Sequence, residues 1–338
     1  MKLTILGCHG PYPPAGGACS GYLLEHEEWK ILLDCGNGVL GKLQQHINLE
    51  ELDAVILTHL HSDHISDIFV LRYAVKHHLE NGWRGAPLPV FTPDQPAEEY
   101  SRLFNKDVYD IIPIKPSEMV QVGPFQFSFL KTAHSIDCFA VKATFHESSN
   151  TIVYSADTEY FEELAQFAGG VSLFLCEASY LNKDLEHEAA NHMSAHQAAL
   201  LGKKARVEKL ILTHLPPFRD DLEYLEEAKE VFQPVQLAKE GNFFYFSSQD
   251  SSQDREWVRL TVETDPIKAS LLEGRLKSEG IAVMLRNKEA AGQIYGFTVG
   301  KLAEINVFVP RDAIQLAEEI LKQINNDNLN NNFTMDSE

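Results

Sequence analysis

Ala54-Val-Ile-Leu-Thr-His59-Leu-His61-Ser-Asp63-His64 is the stretch that decides the architecture. Residues 54–57 are apolar and β-prone, the signature of a short strand buried on both faces. Residues 58–67 then predict a polar loop at that strand's C-terminal end, where open α/β sheets carry their sites. The loop places His59, His61, Asp63 and His64 within six positions. Imidazole nitrogen and carboxylate oxygen both suit a borderline divalent cation such as zinc, iron or manganese. A tetrahedral ion that keeps one position open takes three protein ligands. Four donors at this density exceed that need, and the spacing predicts two metals.

Outward from this stretch, three more strands end in ligand-type residues. Residues 125–131 alternate in strand fashion and lead to Thr132-Ala-His134-Ser. Residues 140–145 and 151–154 predict a hairpin across the polar turn Glu147-Ser-Ser-Asn150, leading to Ser155-Ala-Asp157. Residues 210–212 predict a buried strand before Thr213-His214, and the Leu-Thr-His-Leu of 57–60 recurs at 212–215. If these strands lie in adjacent positions with their C-terminal ends on one edge, His59, His61, Asp63, His64, His134, Asp157 and His214 converge.

The remaining pattern is a strand over 1–7, a Gly/Pro-rich loop from His9 to Ala18, and a hairpin of 21–25 with 30–34 around Glu27-Glu28. Helices are expected over 39–46, 68–80, 98–104 and 222–232. Another is expected over 159–167, with Thr158 as its N-cap. Ser194 with Gln197 fits a capping box that opens a helix running to about Ala205. Further strands are expected at 90–91, 171–176 and 241–246.

The chain has 338 residues, 44% of them apolar, enough for a sizeable core and for two domains. Its net charge of −20 argues against gripping long nucleic acid, because phosphate neutralisation needs clustered Lys and Arg. A small anionic substrate held by metal ions remains compatible with it. Cys8, Cys19, Cys35, Cys138 and Cys176 are scattered, odd in number and without a C-x-x-C pair, and so predict reduced thiols in a cytosolic protein. No signal-peptide pattern opens the chain and no apolar run approaches a membrane span, so a soluble cytoplasmic protein without a membrane partner is expected.

Residues 247–255, built around Ser-Ser-Gln-Asp repeated, predict a polar linker after a first domain of residues 1–246. Residues 256–324 predict a small α+β domain, with strands at 257–264, 282–286, 297–299 and 305–309 and helices at 266–279 and 311–324. It carries 9 Lys+Arg against 10 Asp+Glu, so the acidity belongs to the first domain. The Asn-rich tail, 325–338, is expected to be disordered.

His59-x-His61-x-Asp63-His64, followed by His134, Asp157 and His214, resembles the dinuclear site of the metallo-β-lactamase superfamily in order and approximate spacing. The resemblance covers about residues 1–246 and implies an α/β fold, the αββα sandwich. Cys176-Glu177-Ala-Ser-Tyr180 and His192-Met-Ser194-Ala-x-x-Ala-Ala resemble two loops of the ribonuclease Z-like branch. The opening Gly7-Cys-His-Gly with Pro13 and Ser20 is similar to that branch's N-terminal loop. Members that mature tRNA carry a clamping arm between the counterparts of His134 and Asp157. Here 22 residues, 135–156, separate those positions, room for a hairpin and no arm. The C-terminal domain resembles a small ferredoxin-like domain of signal-transducing proteins.

Carried onto matching positions, the resemblance implies one metal on His59, His61 and His134. A second would sit on Asp63, His64 and His214, and Asp157 would bridge both. Zinc is the expected cation, with manganese or iron as alternatives. The implied chemistry is in-line attack on phosphorus by a hydroxide bridging the metals. Glu177 would orient and charge His192, which protonates the leaving oxygen. The catalytic set is then Asp63, Glu177 and His192, and the expected activity is hydrolysis of a small or cyclic phosphodiester. Two alternatives stay open, a thioesterase or lactonase with the same metals, and a regulatory sensor with the C-terminal domain as output. The resemblance also allows a homodimer. His9 is a further pocket-lining candidate. His187-Glu188 with His192 fails the zincin spacing, and the Gly16-Gly17 loop lacks a phosphate-loop Lys-Ser/Thr.

Overall fold

The computed structural model describes residues 1–105, 107–116, 118–145, 150–185, 191–246, 257–278, 281, 283–287, 305–318, 320–322 and 324. The expected linker, the centre of the 147–150 turn, His187-Glu188, the strand at 297–299 and the tail lie outside the described residues. The chain divides into two compact units, Met1–Gln249 and Asp250–Glu338.

In the first unit the strands are β1 (Lys2–Gly7), β2 (Gly21–His26), β3 (Trp29–Leu33), β4 (Ala54–Ile56), β5 (Leu88–Thr92) and β6 (Tyr109–Pro113), then β7 (Val120–Val122), β8 (Phe125–Lys131), β9 (Phe139–Phe145), β10 (Thr151–Tyr154), β11 (Leu173–Glu177), β12 (Leu210–Thr213), β13 (Val235–Leu237) and β14 (Phe243–Tyr245). Among the described residues they form two seven-stranded sheets, in the orders β14-β1-β2-β3-β4-β5-β6 and β13-β12-β11-β10-β9-β8-β7. Strand β14 pairs antiparallel with β1, Lys2 opposite Tyr245.

Alternation along the strands separates the layers, since successive side chains point to opposite faces. Ala54 and Ile56 of β4, and Ile152 and Tyr154 of β10, enter the core between the sheets beside Tyr22, Phe125 and Phe127. Val55 and Leu57 turn outward onto helices α1 (Val39–Leu43), α3 (Ile68–Glu80) and α4 (Ala97–Leu103). Between them in sequence lies the short α2 (Ser62–Ile65). Val153, Phe174 and Cys176 pack outward on α5 (Glu162–Phe167), α6 (Ala195–Ala205) and α7 (Asp221–Lys229). Both faces of the central strands are therefore apolar, as parallel strands covered by helices require, and each fully buried Leu, Ile or Phe contributes about 1.5–3 kcal/mol. The layers are helix, sheet, sheet, helix, the expected αββα sandwich.

Three local expectations are corrected. The loop after β4 contains the one-turn helix α2, which lets Asp63 and His64 project from a fixed backbone. Helix α5 starts at Glu162 with Phe161 at its N-cap, not at Glu159 with Thr158 as the cap; Thr158 donates its N–H to Glu177 Oε1 at 2.6 Å. Strands β6, β7 and β13 had no counterpart in the sequence pattern. Strand β7 is three residues long and half-exposed, too short for periodicity to show.

The second unit contains β15 (Trp257–Glu263), helix α8 (Pro266–Ser278), β16 (Met284–Asn287) and β17 (Ile305–Pro310). The sheet order is β15-β17-β16, both pairings antiparallel. Its core holds Leu272 and Leu276 against Val307 and Val309. Among the described residues, no helix of either unit is long and apolar enough to cross a membrane.

Candidate metal centre

The four ligand-bearing segments follow β4, β8, β10 and β12, but these strands are not neighbours. Strand β4 belongs to one sheet, while β8, β10 and β12 alternate with β9 and β11 in the other. The site is built at the shared end of the sandwich rather than along one sheet edge. Strands β9 and β10 are antiparallel, as are β8 and β9, so β8 and β10 point the same way. Strands β10, β11 and β12 are parallel. His134, Asp157 and His214 therefore leave the second sheet at one end, where the β4 loop meets them.

All seven predicted ligands come together. His59, His61, His134 and Asp157 form one group, and Asp63, His64, Asp157 and His214 another, with the donor atoms of each group within 4.8 Å of one another. Asp157 Oδ2 stands 3.5 Å from His59 Nε2, 3.4 Å from His64 Nε2 and 3.5 Å from His214 Nε2. Atoms bound about 2.0–2.2 Å from one tetrahedral ion stand about 3.3–3.6 Å apart. His59 Nε2, His64 Nε2 and Asp157 Oδ1 are buried without any hydrogen-bond partner. A buried polar atom left in that state costs about 1–3 kcal/mol, and such atoms in both groups, with Asp157 shared between them, make a donor set that fits divalent cations. His59, His61, His134 and Asp157 would hold one, Asp63, His64, Asp157 and His214 the other.

A surrounding layer of hydrogen bonds selects which imidazole nitrogen faces inward. Asp34, at the end of β3, accepts from His64 Nδ1 at 2.8 Å, Tyr154 OH at 3.0 Å, and Thr58 N and Oγ1 at 2.8 and 2.9 Å. Thr58 Oγ1, having given its proton to Asp34, accepts from His59 Nδ1 at 3.1 Å. Ser179 Oγ donates to Glu177 and accepts from His214 Nδ1 at 2.9 Å. His134 Nδ1 donates to the Asn191 carbonyl at 3.0 Å. In each case Nε2 is left for the centre. His61 is the exception, turning Nδ1 to within 3.1 Å of His134 Nε2.

Electrostatics follow the same layout. Burial, and then the neighbouring His64, drive His59 well below its usual range, which leaves it neutral. Burial opposes charge on His64 too, but the carboxylates of Asp157, Asp34 and Asp63 outweigh it and hold its pKa high. Burial likewise opposes ionisation of Asp157, yet His214, His64 and His59 keep its carboxyl well below the usual carboxylate range. A cation bound here would displace the imidazole proton.

Glu177 and His192 stand beside this cluster. His192 Nδ1 donates to Glu177 Oε1 at 3.0 Å and lies 4.0 Å from Asp157 Oδ2. Burial works against charge on His192, but Glu177 dominates and raises its pKa to about 9. Glu177, His192 and His214 also meet the spacing for a third ion. The Glu177 carboxylate is already engaged by Thr158 N, Ser179 Oγ and Met193 N, so the pair is a hydrogen-bonded couple.

Asp34, Thr58 and Ser179 were not singled out from the sequence. The signal for Asp34 was an acid closing the apolar run Ile31-Leu-Leu33. Gly10, the last residue of the Gly7-Cys-His-Gly motif, has a steric role that the motif alone does not reveal. A Cβ there would fall 2.0 Å from His214 Cε1 and Nε2, so the N-terminal loop can lie on the ligand edge only without a side chain. His9, in the same loop, turns Nδ1 to the Leu215 carbonyl at 3.2 Å.

This fold and donor set define a metallo-hydrolase of the β-lactamase fold. The chain belongs to the β-lactamase superfamily, whose domain model matches residues 29–215. It is 37% identical over 242 residues to the "Probable metallo-hydrolase YhfI" of Bacillus subtilis, spanning 71% of this chain and 98% of that protein. The crystal structure of YhfI superposes with a TM-score of 0.69 at 36% identity, over 72% of this chain and 98% of that one. A "Ribonuclease Z" of Azobacteroides pseudotrichonymphae is 28% identical over 285 residues, 71% of this chain and 96% of that protein. Residues 257–325 match the model "Putative prokaryotic signal transducing protein".

Proposed function

We propose that the protein hydrolyses a small or cyclic phosphodiester, using two divalent cations, zinc first among them, in a cytoplasmic setting. The observation that carries this reading is the His192–Glu177 couple at the edge of the donor cluster. An alkoxide leaving group needs a proton, and a thiolate, whose parent thiol has a pKa of about 8.5, needs it far less. A neutral lactone gains nothing from a donor that Glu177 keeps charged at this edge, whereas a phosphodiester carries an anionic oxygen to meet it. When bound, the cations would polarise the phosphoryl group and supply the nucleophile.

The chain's own residues do the rest. Asp157 faces both halves of the cluster and sets their spacing. Asp34, Thr58, Ser179 and the Asn191 carbonyl hold four imidazoles in the tautomer that ligation requires. Glu177, itself held by the Thr158 N–H, keeps His192 oriented and protonated, so its remaining N–H can be given to the leaving oxygen. Supporting the cytoplasmic setting, all five cysteines are buried and unpaired.

The test is a metal-loaded sample offered an aryl phosphodiester, a thioester and a lactone. Turnover of the diester is expected, abolished in His59→Ala and Asp157→Ala. In His192→Gln, hydrolysis of a dialkyl phosphodiester, whose leaving alkoxide needs the proton, should fall about 10²–10⁴-fold with metal content unchanged, and that of the aryl diester much less. A sample with two bound metals that leaves the diester intact overturns the reading.

A further inference from the structure

A cavity lies directly against the metal centre. It has a volume of about 230 Å³ and ends at His61, a half-buried candidate ligand. Ser62, Ile65, Ser66 and Phe69 form one wall, spaced at three and four residues along α2 and the start of α3, so they share one helical face. Glu99 and Arg102 of α4, three residues apart, form the other. The walls are pinned together, because Arg72 of α3 donates from Nη2 to the Arg102 carbonyl at 3.0 Å. The groove is therefore formed in advance of any ligand.

Its chemistry is specific. The Phe69 ring is flanked by two guanidinium groups, Arg102 at 4.7 Å and Arg72 at 5.0 Å from the ring centroid. Among the described residues, neither the Glu99 carboxylate nor the Arg102 guanidinium has a hydrogen-bond or ion-pair partner. Within the groove one acid stands against one base, which disfavours a second phosphate or a run of negative charge. A planar, uncharged group with donor and acceptor edges matches it: the guanidinium face stacks on an aromatic ring, and the carboxylate accepts from an amine. The volume is below the roughly 300–1,000 Å³ that encloses a drug-sized ligand, and suits one ring system of a larger substrate.

Building on the phosphodiesterase reading, we propose that this groove is a nucleobase subsite, which makes the substrate a nucleotide phosphodiester whose base carries an exocyclic amine. The phosphodiester lies at the metal centre past His61. The base enters the groove, stacks beside Arg102 and Phe69, and gives its amine hydrogen to Glu99.

The test uses three diesters with the same 4-nitrophenyl leaving group: the 5′-adenosine ester, the 5′-inosine ester, which has a carbonyl in place of the amine, and bis(4-nitrophenyl) phosphate, which has no base. Arg102→Ala is expected to raise KM for the adenosine ester about tenfold, the order expected for losing one charge-assisted contact. Its kcat/KM for bis(4-nitrophenyl) phosphate should stay within about twofold, and kcat should hold. Glu99→Gln should erase the preference for adenosine over inosine without touching the base-free diester. Both side chains reach solvent, so folding should survive, and unchanged hydrolysis of the base-free diester reports that directly. Equal losses on all three diesters, or no change on any, overturn the subsite while leaving the phosphodiesterase reading standing. Failure of the unmodified protein to hydrolyse any of the three overturns both.

Discussion

At the scale of single residues, the centre depends on groups that never face a substrate. Asp34 is the clearest case, a buried carboxylate that accepts four hydrogen bonds and sets the nitrogen His64 offers. Glu177 plays the same part for His192 and makes a pH-dependent prediction. The folded pKa of His192 is raised, to about 9. The stabilisation from this pair is therefore complete below the unfolded value of about 6.5 and is lost as pH rises through about 9. Glu177→Gln removes the charge and leaves the burial, so the His192 pKa should drop below 6.5, read from imidazole NMR shifts in metal-free protein. A titration midpoint unchanged by the substitution would show that another group holds the proton. The ligands were legible in the sequence because each polar residue interrupts a buried strand at its end. Asp34 was not, because Tyr154, which binds it, is 120 positions away and only folding brings them together.

At the scale of elements, the ligand loops owe their precision to short, well-terminated pieces. His192 sits two residues before Ser194, whose side chain accepts from Gln197 N while Gln197 closes the box onto the Ser194 N–H. Ser194→Ala should cost about 1 kcal/mol, measured as a lower urea midpoint with an unchanged slope. That box was plain from Ser-x-x-Gln, because both partners lie within one turn. Thr158 misled for a related reason. A threonine before an acidic run matches an N-cap, but its Oγ1 accepts from Ala133 N and donates to the Glu159 carbonyl, and the helix begins later at Glu162. The strand ends were likewise visible without the arrangement that matters, in which β4 and the β8, β10 and β12 set belong to different sheets. Periodicity describes one strand at a time and carries no information on which sheet it joins.

At the scale of the whole molecule, the first unit corresponds to nearly the full length of a relative. Its relative YhfI is matched over 98% of its length by 71% of this chain, so a protein without the second unit carries the same fold. A chain ending at Phe246 should therefore bind two metals per molecule and melt within a few degrees of the first transition of the full chain. A truncated protein that loses metal or aggregates would show that the second unit is needed for folding. Composition pointed the same way, because the acidity of the chain is concentrated in residues 1–246.

Strand β14 lies against β1, with Met1 N bonded to the Phe246 carbonyl and Phe246 N to the Met1 carbonyl at 2.9 Å. The hydrolase unit thus begins and ends at one point on the rim of a sheet, a closed loop with a clasp. Anything joined after the clasp, such as the second unit, can be gained, exchanged or lost without rerouting a single strand. By the same logic the ring could be reopened elsewhere, for instance in the exposed turn after α3 at Gly82. If 246 were rejoined to 1 by a short Gly-Ser bridge, the four ligand-bearing strand ends would keep their places. This architecture makes the catalytic sandwich a portable cassette.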